Sequence, residues 1–162
     1  MSVTLEQRQD GANRTLLAAL IATVVMLFTG FAAAYIERSS NVEIWEKISL
    51  PPVLGVNTVL LIVSSLALWR ARLSIAIGFG ALFLIGQVWA WFELRDQGIT
   101  AASNAHAAFF YILSVLHALH VIGGLIALLV SIRQPRIRRF AAGFWHLMGV
   151  MWVYVLGVLV IL

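Results

Sequence analysis

Apolar residues run along this chain in long, nearly unbroken blocks, without the period-2 alternation of half-buried strands. A helix needs about 20 mostly apolar residues to cross a bilayer. Five blocks are of that order: residues 16–36, 51–69, 74–94, 106–132 and 140–162. Spanning strands of a membrane barrel would alternate, and these do not. The pattern therefore predicts an all-α polytopic membrane protein, a bundle of five transmembrane helices. The polar gaps are short, which favours one antiparallel domain over residues 16–162, preceded by a cytoplasmic tail at 1–15. Pro51 and Pro52 fall in the first turn of the second block, where proline is tolerated. The first block ends in Ala32-Ala33-Ala34, similar to a signal-peptide cleavage site. The apolar run before it exceeds the usual core of about 7–15 residues, so it reads as a retained helix.

Composition narrows the class. Of 162 residues, 62% are hydrophobic and 11% charged, with a mean hydropathy of +0.96. A soluble domain carries about 25% charged residues. Too little polar surface remains to coat a globule in water, which excludes a soluble enzyme, a nucleic-acid-binding domain and a disordered chain. Cysteine is absent, so disulfides and thiolate chemistry are excluded. The net charge of +4 is sorted by side. Arg8, Arg14, Arg70, Arg72, Arg133, Arg136, Arg138 and Arg139 fall on one side of the predicted bundle. The other side has Arg38, Lys47 and Arg95, with the acids Glu37, Glu43, Glu46, Glu93 and Asp96. The positive-inside rule then places the N-terminus in the cytoplasm and the C-terminus outside. Tyr35, Trp69, Trp89, Trp91 and Trp145 lie near block ends and read as interfacial anchors.

Polar residues within the blocks are costly in hydrocarbon and so informative. In the fourth block His117, His120, Gly124, Ala127 and Ser131 share one helical stripe; Leu119, Ile122, Ile126 and Leu129 form the opposite one. Small residues let helices approach and histidine can bond across the contact, so the first stripe should face protein and the second lipid. Ala76, Gly80, Gln87 and Ala90 repeat the idea in the third block, and Gly143, His146 and Gly157 in the fifth. The second block holds Asn57, Thr58, Ser64 and Ser65. A bis-histidine haem needs facing histidines at equal depth. His120 and His146 differ by nearly two turns, about 18 against 9 Å from the same end at 1.5 Å per residue. His117 and His120 lack the third and fourth ligands of a copper or zinc site. No charged residue lies well inside a block, so nothing supplies a proton relay or ion site. These features suit a subunit of a larger complex.

The same residues carry a resemblance. Leu27-Phe28-Thr29-Gly30-Phe31, then Leu50-Pro51-Pro52 followed by Asn57-Thr58-Val59-Leu60-Leu61, resemble successive helices of subunit III of haem-copper respiratory oxidases. Gln87 and Glu93 match a Q-x-x-x-x-x-E element of the next helix. Leu116-His117-Ala118-Leu119-His120-Val121-Ile122-Gly123 is similar to the family's F-H-G-L-H-V-I pattern, the most specific match. Phe144-Trp145-His146 with Trp152 resembles the last helix. Order and spacing agree over nearly the whole chain, in a short form lacking the family's first two helices.

The resemblance implies a non-catalytic subunit with no haem or copper of its own. Haem and copper would reside in the partner catalytic subunit I, which with other oxidase subunits and membrane lipid would be its partners. It implies phospholipid bound in a cleft, support of proton uptake and turnover durability, and a proposed part in guiding oxygen. The setting would be a bacterial cytoplasmic membrane and a complex passing electrons from cytochrome c or quinol to oxygen while pumping protons. Gln87, Glu93, His117, His120, Gly124, Trp145 and His146 would serve structural hydrogen bonding and packing, within the bundle or at its interfaces. Two positions depart from the family pattern. Val24 stands where many members carry a Glu linked to the lipid and oxygen cleft, and Gly149 where many carry an Asp. The missing Glu lends weight to an alternative that ranks second, the accessory membrane protein of a nitric oxide reductase system. A small transporter is a reading from another class.

Overall fold

The computed structural model describes residues 5–41 and 46–161, and the side chains from residue 15 onward within those ranges, residue 17 apart. Glu43 and the side chains of Arg8 and Arg14 lie outside the described residues. The order is α1 Leu5–Ser40, α2 Val53–Trp69, α3 Leu73–Asp96, α4 Ala105–Arg133 and α5 Arg138–Ile161, with a short 3-10 turn at Pro135–Ile137 before α5. No strand occurs among the described residues. The five predicted segments are thus five helices. Four have stretches long and apolar enough to cross a membrane; α2, at 17 residues, is shorter. Its helix opens behind Pro52 because the prolines offer no amide hydrogen, and the Leu54 and Gly55 amides return to the Pro51 and Pro52 carbonyls. Helix α1 begins at Leu5, so the helical backbone runs through most of the stretch read as a tail.

Helices α2 and α3 are antiparallel because their connection is tight. The α2–α3 turn closes with Arg72 N–H on the Ala67 carbonyl and Ala71 N–H on Leu68, both 2.9 Å, with Ala71 at φ 59°. This pairing satisfies the last carbonyls of α2. An alanine there costs about 1–2 kcal/mol that glycine would not. Helix α3 ends the same way, and here glycine does supply the positive φ: Gly98 sits at 77°, with Ile99 N–H on the Leu94 carbonyl. Asn104 caps α4, its side-chain oxygen accepting from Ala107 N–H at 2.7 Å. Helix α3 packs along α2 and α4, and α5 packs on α1, α2 and α4.

One end of the bundle therefore gathers Arg70, Arg72, Arg133, Arg136, Arg138 and Arg139 on its two connections. The other gathers the α1–α2 and α3–α4 connections with the end of α5. There His106 ties three elements together. Its Nδ1 accepts from Ile48 N–H at 3.3 Å, so Nε2 carries the proton and donates to the Leu159 carbonyl at 3.1 Å. The outer surface is apolar: Met26, Trp69 and Ile161 are each more than 70% exposed. Such a surface suits hydrocarbon, not water. Leu119, Ile122, Ile126 and Leu129 all face outward, while His117, Gly124 and Ser131 are buried.

Some sequence expectations need correction. Tyr35 and Trp145, read as interfacial anchors, are fully buried, whereas Trp69 and Trp89 are exposed. The Gly143–His146–Gly157 face is not the seam of α5, since Gly143 is exposed. The seam is bulky: Phe144, Trp145, Met148, Trp152, Val155 and Leu159. The reason is complementarity. The small residues that admit these rings sit on the facing helices, so α5 supplies knobs and not holes.

Candidate functional site

The informative region is a polar and aromatic layer inside the bundle. Buried polar side chains come from α2 (Asn57, Ser64), α3 (Gln87) and α4 (Ser114, His117, Ser131). They face inward because a polar residue is tolerated in a membrane bundle only when turned toward protein.

His117 is the centre of this layer. Its ring lies 5.0 Å from the Trp152 ring, 5.7 Å from Phe83 and 6.1 Å from Phe28, between centroids. The two phenylalanines meet it edge to face, a geometry worth about 0.5–1.5 kcal/mol per aromatic pair. Helices α1, α3, α4 and α5 thus converge on one imidazole. Neither of its nitrogens makes a hydrogen bond among the described residues, and the same holds for the carboxamides of Asn57 and Gln87. Asn57 presses against Gly86, where any Cβ would collide with its carboxamide oxygen. Glycine is needed there for close approach and not for an unusual backbone.

Tryptophans fix the helices sideways. Trp145 N–H donates to Ser64 Oγ at 3.0 Å, and Ser64 donates on to the Ala76 carbonyl at 2.7 Å, so α5, α2 and α3 share one chain. The Trp145 ring fills the space left by two glycines. A Cβ on Gly80 would lie 2.5 Å from Cη2, and one on Gly124 3.0 Å from Cε3. Trp152 N–H donates to Thr58 Oγ1 at 3.0 Å, and Trp91 N–H to Ser114 Oγ at 2.9 Å.

The seven residues singled out from sequence do not form one site. His117, Gln87, Gly124 and Trp145 are buried in the bundle, and Gly124 packs directly on Trp145. His120 is half-buried one turn from His117; its Nδ1 donates to the Leu116 carbonyl of its own helix at 2.6 Å, and its ring meets Phe28. His146 stands apart on the α2 side, sharing a 2.6 Å hydrogen bond with Ser65. Glu93 is half-buried near the end of α3. Three rings enclose His117, and His120 and His146 are engaged through Nδ1 on different faces. Among the described residues, no three of His, Asp and Glu stand close enough to share a metal ion. Sequence reasoning passed over His106 and Ser114, whose roles depend on partners 53 and 23 residues away.

An apolar groove of about 730 Å³ opens between α2 and α5, with Leu61, Leu66, Trp69, Val150 and Val153 on its walls and the Ser65–His146 pair within it. Gly149, the position where an acid is common in the resembled family, lines this groove, and Val24 is buried in the α1 seam.

No family model matches the chain. Curated relatives do. A cytochrome c oxidase subunit 3 of Synechocystis is 31% identical over 84% of this chain and 69% of its own length. A probable cytochrome c oxidase subunit 3 of Nocardia farcinica is 31% identical over 46% of this chain and 41% of its own. A cytochrome bo(3) ubiquinol oxidase subunit 3 of Buchnera aphidicola is 28% identical over 80% of this chain and 77% of its own. The chain spans less than half the length of the Nocardia relative and of a Corynebacterium diphtheriae one (46%). The Synechocystis match covers most of the chain, and with the His117–His120 helix and the Trp145 and Trp152 seam it fixes the assignment: this chain belongs to the cytochrome c oxidase subunit III family.

Proposed function

We propose that this chain is the non-catalytic subunit III of a haem-copper terminal oxidase in a bacterial cytoplasmic membrane, where it stabilises the catalytic subunit. The observation that carries the reading is the Synechocystis likeness over 84% of the chain. The interior supports it. His117 is packed among rings as a structural element, and Ser64, Thr58 and Ser114 accept tryptophan N–H groups from neighbouring helices. Such intramembrane contacts average about 0.6 kcal/mol and reach about 1–2 kcal/mol. They hold a scaffold together and drive no chemistry. Haem and copper, with the transfer of electrons to oxygen and the coupled proton pumping, belong to the partner subunit. Phospholipid belongs on the apolar exterior of this chain, where the α2–α5 groove can seat acyl chains.

The test is purification of the tagged chain in a gentle detergent, with mass spectrometry and an optical spectrum of what accompanies it. The expected result is co-purification of an oxidase catalytic subunit, with a haem spectrum that disappears when that subunit is removed. A chain that is coloured and active on its own overturns the proposal. Co-purification with a nitric oxide reductase instead overturns the oxidase assignment in favour of the sibling complex.

A further inference from the structure

A second depression of about 430 Å³ lies between α3 and α4 at the end of the bundle that carries the α3–α4 connection. Val88, Phe92 and Arg95 line it from α3, Tyr111 and Val115 from α4, and Thr100 from the connection. Its polarity changes along its length. Arg95 and Thr100 stand at the end nearest the connection; Val88 and Val115 lie deeper. From Val88 to Arg95 is about 10 Å at 1.5 Å per residue. That fits within one leaflet's share, about 15 Å, of the hydrocarbon core. Residues 88, 92 and 95 share a helical face, and Arg95 is the one charged residue on the groove's lining among the described residues; Asp96, one turn on from Phe92, does not line it.

The walls are held in place. Tyr111 O–H donates to the Ile99 carbonyl at 2.9 Å, and the Trp91 N–H beside the groove is used on Ser114. These aromatic groups therefore offer the groove mostly their apolar surfaces. The exposed Arg95 guanidinium is its strong donor. A neighbouring transmembrane helix would need a seam much longer than this one, and deeper along α3 the contact closes over the buried Gln87 and Phe83. A short apolar slot under a cation matches a single phospholipid.

We propose that this groove is a phospholipid site, with the lipid phosphate on Arg95 and an acyl chain between Val88 and Val115. The site stands independently of the oxidase assignment, and it is separate from the α2–α5 groove.

The experiment uses the full chain in phosphatidylcholine nanodiscs containing a trace of phosphatidylglycerol with a photoactivatable group in mid-acyl chain. Adducts are mapped by peptide mass spectrometry. Labelling should concentrate on residues 88–95 and 111–115. Arg95→Gln should reduce it about fivefold, the effect of one basic residue near a lipid surface, and Arg95→Lys should retain most of it. Val115→Trp should block the slot. Labelling at the exposed Met26 on α1 should stay unchanged in every variant, and circular dichroism checks the fold. Adducts spread evenly over the exposed apolar faces overturn the proposal. So does labelling indifferent to Arg95→Gln, even where Val115→Trp lowers it, because the slot would then hold hydrocarbon without recognising a phosphate. If Val115→Trp does not fold, the contrast between Arg95→Gln and Arg95→Lys decides alone.

Discussion

Replacing Gly80 with alanine adds one methyl group, and the structure says where it would go. The new Cβ would lie 2.5 and 2.6 Å from Cη2 and Cζ2 of Trp145 and 3.0 Å from a Leu125 methyl. The Trp145 ring cannot retreat. It is fully buried, Gly124 closes its other side, and its N–H is fixed to Ser64. Overpacking of this kind costs about 1–3 kcal/mol. Shifting the ring enough to lose the Ser64 bond adds about 0.6–2 kcal/mol. Alanine recovers up to about 1 kcal/mol in helix propensity over glycine. The net expectation is destabilisation by about 1–3 kcal/mol, with the steric term dominant. The assay is titration of the full chain from mild detergent into SDS, followed by far-UV circular dichroism. Gly123→Ala is the control. Gly123 is one helix position from Gly124, yet nothing lies within 4 Å of its Cβ position, so that variant should be neutral or slightly stabilised. Trp145→Phe removes the colliding ring atoms, so Gly80→Ala should cost at least about 1 kcal/mol less in that background, a coupling a double-mutant cycle resolves. Equal effects at Gly80 and Gly123, or an additive double mutant, would refute the reasoning.

Other outcomes follow from single contacts. Thr58→Val keeps the shape but leaves the Trp152 N–H without its acceptor, and should destabilise by about 0.6–2 kcal/mol in the same titration. His106→Ala removes the link between Ile48 and Leu159, so amide exchange at Ile48 should accelerate while the centre of α4 stays protected, which hydrogen-exchange mass spectrometry can read. A reporter fused to the C-terminus should be active outside the cytoplasm and one on the α2–α3 turn inside it; the reverse would mean that the arginine-rich end does not face the cytoplasm.

Helix number, helix type and the outward aliphatic face of α4 were legible in the sequence, because each rests on local quantities: length of an apolar run, spacing of side chains, position of Gly and Pro. The arginine sorting was legible for the same reason, once the turns at Arg70–Arg72 and Arg133–Arg139 fell at one end. The interior was not. Trp145 and Tyr35 looked like interfacial anchors because each lies near the end of an apolar run. Only the packing of α3 and α5 against α4 puts Trp145 between Gly80 and Gly124, and only the meeting of α1 with α4 sets Tyr35 against Phe109 and His106. Likewise Ser64 and Thr58 read as small polar residues until their tryptophan partners, 81 and 94 residues away, are placed. Bilayer crossing is written in each segment separately, since every segment must by itself leave water. Which ring fills which gap is a property of pairs of helices, and one-dimensional periodicity holds no information about the rotation of one helix against another.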